Sequence, residues 1–488
     1  MKILEKILVL ILLVMLVLPA IQKEYPLIKV RELDGDFVLA EKTKLSWDEW
    51  KKGTFQAEFD KYLEDHIGFR DFLVRFTNQL DYSLFRKIHA EGVVIGKNDQ
   101  LYEYDYIRAY MGGDFIGKNV IDKKIRRLKF LQEYLKKEKN IDLILVFEPG
   151  KASFYPEYIP NHFYTNKKEL TNLKYFVKKA KEHKVRFIDF NPYFKILKGK
   201  AEYPLYPKYG IHWSIYGMSY AADSLLKYIE NLRQIDMPDV YIDSLQIEKH
   251  ARRPDYDGGK TLNLLWRLPE KEPLAYPVYR FEENPEKDRP MVLAIADSYY
   301  WNIFNTRIPK HLFKNEAFWY FYSMVYPDTY YNPKYVHDLN LKEEIEKQDV
   351  ILLMVTERFL YKFDWSFIDE AYALYAPVSK YDLLYNYITN ILNYSVWFDN
   401  VIGKAKAEGK PLDERITSEA EYIFKNKHPD IYNKHLALEN NKQKILNDSL
   451  LFNHTKALAE KYYMTFGEML QIEAERMEKS ENTKMDDD

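Results

Sequence analysis

The chain has 488 residues and a nearly balanced charge, with 72 lysine and arginine residues against 74 aspartate and glutamate residues. This balance argues against nucleic-acid binding, because there is no excess positive charge to attract phosphates. The absence of cysteine excludes disulfide frameworks, zinc-finger clusters and thiol catalysis. Hydrophobic residues make up 47% of the sequence, as expected of a globular protein with a core.

The N-terminal segment predicts export from the cytoplasm. Two lysines precede an apolar run from Ile7 to Ile21, which is the pattern of a secretory signal. Signal peptidase requires small side chains at alternate positions, but Leu18 lies two positions before Ala20. We therefore favour an uncleaved anchor in the inner membrane over a cleaved signal peptide for residues 1–23. The rest of the chain should then lie in the periplasm or another extracytoplasmic space.

The next part of the chain predicts two helices followed by two short strands. Apolar residues recur at helical spacing from Trp47 to about Ile88, and Gly68 marks a break between the two helices. Val93–Lys97 and Leu101-Tyr102 flank a polar turn, which is typical of a pair of strands.

From residue 119 onward, predicted helices alternate with apolar runs of strand length. The predicted helices cover 119–138, 168–183 and 215–232, and the predicted strands cover 142–147, 185–190, 291–296, 317–322 and 349–355. Continuous apolar strands separated by amphipathic helices are typical of a mostly parallel sheet with helices on both faces. We therefore predict an α/β domain over residues 45–375, with functional groups at the carboxyl ends of its strands.

Three regions depart from this alternation. Residues 234–290 are rich in proline and charge, so we interpret them as an insertion that forms a loop region or a small subdomain. Strand signals end near residue 376, and helical periodicity predicts a helical C-terminal region over 376–478. Residues 479–488 are polar and are predicted to be a disordered tail.

The first candidate for chemistry is Asp297-Ser298, which follows a predicted strand and precedes a helix. A serine at such a turn exposes its hydroxyl at the sheet edge, and its own backbone N–H can stabilise an oxyanion. The alternative is that Ser298 only caps the helix and that Asp297 is a turn residue.

Two further segments could complete such a site. His212-Trp213 lies in a loop that opens a helix, and a serine nucleophile needs a base whose pKa lies near neutrality, as that of histidine does. Glu148 and Lys151 flank a Pro-Gly turn after a predicted strand, where both side chains could face the cleft. The alternatives are a structural histidine and an ordinary turn with solvated charges.

These segments, in this order, resemble the SGNH-hydrolase-like domain of alginate-type polysaccharide O-acetyltransferases of the AlgX and AlgJ kind, and more distantly the DltD and DHHW families. The resemblance covers roughly residues 45–370. It is carried by Phe59-x-x-x-Leu63-x-Asp65-x-x-Gly68-x-Arg70, Val94–Lys97, Pro149–Lys151 with Tyr155-Pro156, His212-Trp213 and Asp297-Ser298. It implies that Ser298 is the acyl nucleophile and that His212 is its base.

The orienting carboxylate of that family does not carry over. The family usually has aspartate two residues before the histidine, but this chain has Gly210 there. Loss of such a carboxylate costs on the order of 10⁴ in turnover, so either another carboxylate replaces it or the site is weak or silent. We expect Glu148 to replace it, with Asp189 as the second choice.

The resemblance implies an O-acetyltransferase that modifies an exported polysaccharide, with a membrane-bound O-acyltransferase as the acetyl donor. Two alternatives remain open: a non-catalytic subunit that binds polysaccharide or assembles a complex, and an esterase that removes acetyl groups. No phosphate-binding loop, zinc-protease motif or EF-hand loop occurs in the sequence, so we expect no cofactor and no metal.

Overall fold

A six-stranded sheet forms the centre of the protein in a computed structural model that describes residues 2–35, 38–164 and 169–486. The strands are β1 (Val93–Ile95), β2 (Leu101–Glu103), β3 (Asp142–Glu148), β4 (Phe187–Asp189), β5 (Val240–Glu248), β6 (Leu274–Phe281), β7 (Val292–Ala296), β8 (Ala317–Tyr320), β9 (Met324–Tyr326) and β10 (Val350–Thr356). The central sheet has the order β4-β3-β10-β7-β8-β9, and only its edge pair β8-β9 is antiparallel. The predicted mostly parallel sheet is therefore confirmed.

Helices surround this sheet and extend the chain at both ends. The α-helices of the described residues are α1 (Lys2–Glu24), α2 (Trp47–Lys52), α3 (Thr54–His66), α4 (Arg70–Phe85), α5 (Tyr104–Met111), α6 (Lys118–Lys139), α7 (Lys151–Phe154), α8 (Asn172–Glu182), α9 (Phe190–Leu197), α10 (Ile215–Arg233), α11 (Asp257–Thr261), α12 (Tyr300–Phe304), α13 (Ile308–Leu312), α14 (Leu341–Glu346), α15 (Phe367–Tyr375), α16 (Asp382–Asn393), α17 (Ser395–Glu408), α18 (Leu412–Lys427), α19 (Pro429–Asn433), α20 (His435–Asn447), α21 (Ser449–Lys461) and α22 (Phe466–Asp486). The predicted helix over 168–183 begins later, at Asn172, and residue 168 lies outside the described residues.

Both faces of the sheet are covered, because alternate side chains of each strand point to opposite faces. In β3, Leu143 and Leu145 pack into the apolar cluster beneath α6, α8 and α15. Ile144 and Val146 of the same strand pack into the opposite cluster, beneath α9 and α10. Strands β3 and β10 are buried along their whole length, which explains why they are continuous apolar runs in the sequence.

The carboxyl ends of the central strands meet at one edge of the sheet. Glu148 at the end of β3 lies opposite Thr356 at the end of β10. Ala296 at the end of β7 pairs with Met354 on the other side of β10. Residues that follow these strands are therefore brought together, as expected for a parallel sheet.

The region 234–290 is more ordered than a loop. Strands β5 and β6 form a separate antiparallel pair, and the segment between them contains α11. Gly259 donates its backbone N–H to the carbonyl of Tyr209, at 2.7 Å. The insertion is therefore seated against the loop that precedes α10.

The C-terminal region is helical from α16 to α22, as predicted, and α16 and α22 contact α6. Arg126 of α6 contacts Glu468 at 2.6 Å, and Arg127 contacts Asp382 at 2.9 Å. The last helix continues to Asp486, whereas the sequence predicts a disordered tail from residue 479. Residues 487 and 488 of that predicted tail lie outside the described residues.

The first helix is the one helix within the described residues that is long and apolar enough to cross a membrane. It covers 23 residues, or about 34 Å at 1.5 Å per residue, and its apolar side chains are exposed. The hydrocarbon core of a bilayer is about 30 Å thick. The helix is therefore of the length that a single membrane crossing needs.

Candidate functional site

Asp297 fixes the turn that presents Ser298. Its Oδ1 accepts the backbone N–H of Tyr299 at 3.0 Å, and its Oδ2 accepts the N–H and the hydroxyl of Thr356 at 2.8 and 2.7 Å. Burial raises the pKa of this carboxyl, and these hydrogen bonds oppose the rise. Asp297 is thus a buried turn residue that ties the end of β7 to the end of β10 and leaves Ser298 half-buried at the edge.

The loop before α10 brings His212 to Ser298. The side chain of Ser214 caps α10 by accepting the N–H of Gly217 at 2.8 Å. Trp213 is fully buried against Tyr299, with ring centroids 5.0 Å apart, and anchors the loop. His212 Nε2 consequently lies 2.7 Å from Ser298 Oγ, within the range for a base and its nucleophile.

The carboxylate beside His212 is Asp257, so the expectation that Glu148 or Asp189 fills this role is wrong. Asp257 Oδ2 is hydrogen-bonded to His212 Nδ1. Its Oδ1 accepts the backbone N–H groups of Ile211 at 2.8 Å and Gly258 at 2.7 Å. Asp257 begins α11 in the insertion, 45 residues beyond His212.

The other two carboxylates lie in different surroundings. Asp189 Oδ1 accepts the N–H of Asn191 at 3.0 Å and so caps α9. Glu148 is fully buried, and neither carboxyl oxygen has a hydrogen-bond partner among the described residues. Burial, with the nearby charge of Asp297, raises the pKa of Glu148 well above its ordinary value. The Glu148 carboxyl is therefore shifted toward its neutral form, and it makes no hydrogen bond to His212.

Gly210 has no room for the aspartate that the family usually carries. A Cβ atom there would overlap Cγ of Pro207 and lie 2.7 Å from the carbonyl oxygen of Asp255. The segment that supplies Asp257 occupies this space. The sequence signal that could have identified Asp257 is the run Asp257-Gly258-Gly259. Two glycines beside a carboxylate allow another backbone segment to approach it closely.

Lys151 does not face the cleft, contrary to the expectation from its turn. Its ammonium is fully buried and donates to the carbonyl oxygens of Pro207, Lys208 and Gly210 at 2.7, 2.9 and 2.7 Å. Burial lowers the pKa of Lys151 to about 7, although the charge of Asp257 opposes that change. Lys151 therefore fixes the loop that leads to His212.

Arg358 is a site residue that the sequence reasoning missed. It follows β10, and its Nη2 lies 3.4 Å from Ser298 Oγ. Its Nη1 is paired with Glu103, and its guanidinium lies 4.9 Å from the ring centroid of Tyr106. Burial lowers the pKa of Arg358 to about 9, so the group is charged at neutral pH. Its place after a predicted strand was the available signal.

The charges around His212 favour its protonated form more strongly than water does. Burial lowers the pKa of His212, but the carboxylates around it, with Asp257 as the largest contributor, together raise the pKa above 6.5. Asp297 and Asp255 act in the same direction. Such a site stabilises the imidazolium that forms when histidine takes a proton from serine.

Within the described ranges, no group of three His, Cys, Asp or Glu side chains is placed to hold a metal ion.

Several solved structures are similar to parts of this chain, including the following three. The O-acetyltransferase domain of Pseudomonas putida AlgJ is 16% identical with a TM-score of 0.37, and the match covers 58% of this chain and 99% of that one. Pseudomonas aeruginosa AlgX is 16% identical with a TM-score of 0.31, covering 55% of this chain and 57% of that one. Bacillus cereus PatB1 is 12% identical with a TM-score of 0.32, covering 55% and 96%.

The comparison with curated proteins gave no match. The family comparison did: residues 93–276 match the family described as SGNH hydrolase-like domain, acetyltransferase AlgX. The matched range contains His212 and Asp257 and ends before Ser298. The similarity to AlgX-type acetyltransferases that the sequence motifs predict is therefore confirmed over these residues.

Proposed function

We propose that the protein is an O-acetyltransferase in which Ser298, His212 and Asp257 form a catalytic triad. The observation that carries this proposal is the continuous hydrogen-bonded series from Ser298 Oγ through both ring nitrogens of His212 to Asp257. Histidine with a carboxylate on Nδ1 presents Nε2 as the acceptor toward serine, which is the tautomer that the chemistry requires. The family match over 93–276 supports acetyl transfer as the reaction.

The reaction has two half-reactions. In the first, His212 Nε2 takes the proton of Ser298 Oγ while Oγ bonds to the acetyl carbonyl carbon. The bond from that carbon to the donor oxygen then breaks, and the imidazolium returns the proton to the donor oxygen. In the second, an acceptor hydroxyl gives its proton to His212 and attacks the acetyl carbon. Ser298 Oγ leaves and recovers that proton from His212.

Two groups are suited to stabilise the oxyanion that forms in each half-reaction. One is the backbone N–H of Ser298, which the sequence already predicts for this role. The other is the guanidinium of Arg358, held 3.4 Å from Ser298 Oγ and charged at neutral pH. A fixed positive group near developing negative charge in a partly dry site lowers the barrier strongly.

The proposed substrate is an exported polysaccharide, and a membrane-bound O-acyltransferase is the proposed source of the acetyl group. The extracytoplasmic location is supported by α1, which precedes the whole catalytic domain and has the length and composition of a membrane anchor. We propose that α1 remains attached and holds the domain at the outer face of the inner membrane.

The test measures acetyl transfer from para-nitrophenyl acetate to a panel of short neutral and uronate oligosaccharides. We expect Ser298→Ala to lose transfer, with the exposed Ser244→Ala in β5 as its matched control. Acetate release without acetylated sugar would instead favour the esterase alternative. Transfer no faster than background in both the parent and Ser298→Ala, with oligosaccharide binding intact, would favour the non-catalytic alternative.

A further inference from the structure

Helix α4 has an inverted distribution of polar and apolar side chains. The side that faces the protein carries Arg75, Gln79 and Tyr82, which are buried. The outer side carries five apolar side chains that are 43 to 68% exposed. We call these five the apolar strip: Phe72, Leu73, Phe76, Leu80 and Leu84. A helix in water normally shows the opposite arrangement, so the strip calls for an apolar environment.

The inner side of α4 is fixed by specific hydrogen bonds, so the strip cannot simply turn inward. Arg75 donates to the carbonyl oxygens of Glu32 at 2.6 Å and Leu264 at 3.3 Å. Asn78 donates to the carbonyl of Leu262 at 3.1 Å, and Gln79 accepts the N–H of Trp266 at 3.2 Å. Rotation of α4 would break all of these contacts and leave a buried arginine without partners, which is costly.

The strip begins next to the end of α1. Gly68, in the turn between α3 and α4, approaches α1 so closely that a Cβ atom there would overlap the carbonyl oxygen of Pro19 and lie 2.9 Å from Gln22 Cβ. Lys23 Nζ lies 5.0 Å from the ring centroid of Tyr62 in α3. The last turn of α1 is therefore packed on the α3–α4 turn. If α1 crosses the bilayer, this turn lies at the bilayer surface.

We infer that α4 lies in the outer leaflet of the membrane that α1 crosses, with the apolar strip among the lipid acyl chains. This inference rests on the proposed membrane anchor, but not on the proposed acetyl transfer. The occupant is lipid because the strip starts at Phe72, four residues after the glycine that touches α1. Exposed Trp47 and Trp50 in α2 add the residue type that is enriched at membrane interfaces.

The inference also connects the membrane to the proposed catalytic carboxylate. Asn78 of α4 binds Leu262, the residue directly after α11, and α11 begins with Asp257. The same helix that contacts lipid therefore holds the insertion that completes the triad. Docking through α1 alone would leave the domain free to rotate, whereas two contacts fix the direction in which Ser298 faces.

The test uses the full chain, whose lack of cysteine allows clean single-cysteine labelling. Phe76→Cys and Leu80→Cys would each carry a nitroxide spin label in vesicles of phosphatidylethanolamine and phosphatidylglycerol. Collision rates with oxygen and with a water-soluble nickel complex then report lipid and water exposure. Leu12→Cys in α1 is the lipid reference, and Ser244→Cys in β5 is the water reference. Each variant must keep the parent's melting temperature, and Leu84→Cys replaces one that does not.

We expect labels at positions 76 and 80 to be severalfold less accessible to nickel than the label at position 244, and more accessible to oxygen. Nickel accessibility equal to that at position 244, with position 12 protected, would overturn the inference while leaving the anchor intact, and would indicate a protein partner for the strip. Protection at 76 and 80 without protection at 12 would support lipid contact and refute the anchor. Exposure of all labels would refute both.

Discussion

The substitution Asp257→Asn tests the central geometric result most directly. Asp257 accepts from His212 Nδ1 through Oδ2 and from two backbone N–H groups through Oδ1. Asparagine can keep the Oδ1 contacts, but its NH₂ group would then face Nδ1. Because two donors cannot share that position, His212 is driven to carry its proton on Nε2, where it can no longer accept the serine proton.

The expected loss is large. An equivalent change in a serine–histidine–aspartate triad lowers turnover by ~10⁴, which corresponds to roughly 5.4 kcal/mol at 1.36 kcal/mol per tenfold. The pH profile should change as well. His212 must be neutral to act as a base, so activity falls as the pH drops below its pKa. In the parent that pKa is raised above 6.5 against the effect of burial, and Asp257 contributes most to the rise, so the variant should show its acid limb at lower pH.

The assay is acetyl transfer from para-nitrophenyl acetate followed over the pH range on either side of the raised His212 pKa. Asp243→Asn is the matched control, because Asp243 is an exposed aspartate of the same insertion that pairs with Arg280 at 3.0 Å. A rate for Asp257→Asn within ~10-fold of the parent, with an unshifted acid limb, would refute the assignment of Asp257 to the triad.

Four further substitutions separate the roles of neighbouring residues. Gly210→Asp should lower both activity and melting temperature, since its Cβ overlaps Pro207; a gain of activity would contradict this packing. Arg358→Gln should lower kcat by ~10² or more with little change in KM, as measured by steady-state kinetics. Lys151→Met leaves three carbonyls without their donor, so urea unfolding should show a loss of about 1–3 kcal/mol together with reduced kcat. Glu148→Gln should keep activity. In the parent, the free energy of unfolding should fall as the pH rises above about 4.5, because the native state retains the Glu148 carboxyl proton that the unfolded state loses, and the variant should show a smaller fall. A large loss of activity would return Glu148 to the site.

The sequence predicted the elements whose signals are local. Strands β3 and β10 are buried along their whole length, so their apolar runs were sufficient to identify them. Ser298 and His212 were found because each lies where a strand or loop opens a helix. The strand predicted over 317–322 ends at Tyr320, since Phe321 and Tyr322 adopt left-handed backbone angles that do not continue a strand.

The partner of His212 could not be predicted in the same way. Asp257 lies 45 residues beyond His212, in a region whose proline and charge content indicated only an insertion. The contact depends on how Gly259 packs against Tyr209, and no local periodicity reports such a contact. Arg358 lies two residues beyond the end of β10, and its closeness to Ser298 depends on the pairing of β10 with β7, which no local signal reports.

The location of Asp257 in the insertion has a consequence for how the site can fail. Ser298 follows a strand of the central sheet, and His212 lies in the loop before α10. Asp257 belongs to the insertion over 234–290, which has its own small sheet and which we call the lobe. A displacement of that lobe by little more than the length of one hydrogen bond would separate Asp257 from His212 and leave the serine–histidine pair in place. The protein would then be folded, but the proposed triad would lack its carboxylate, and reseating the lobe would restore the triad without refolding the sheet.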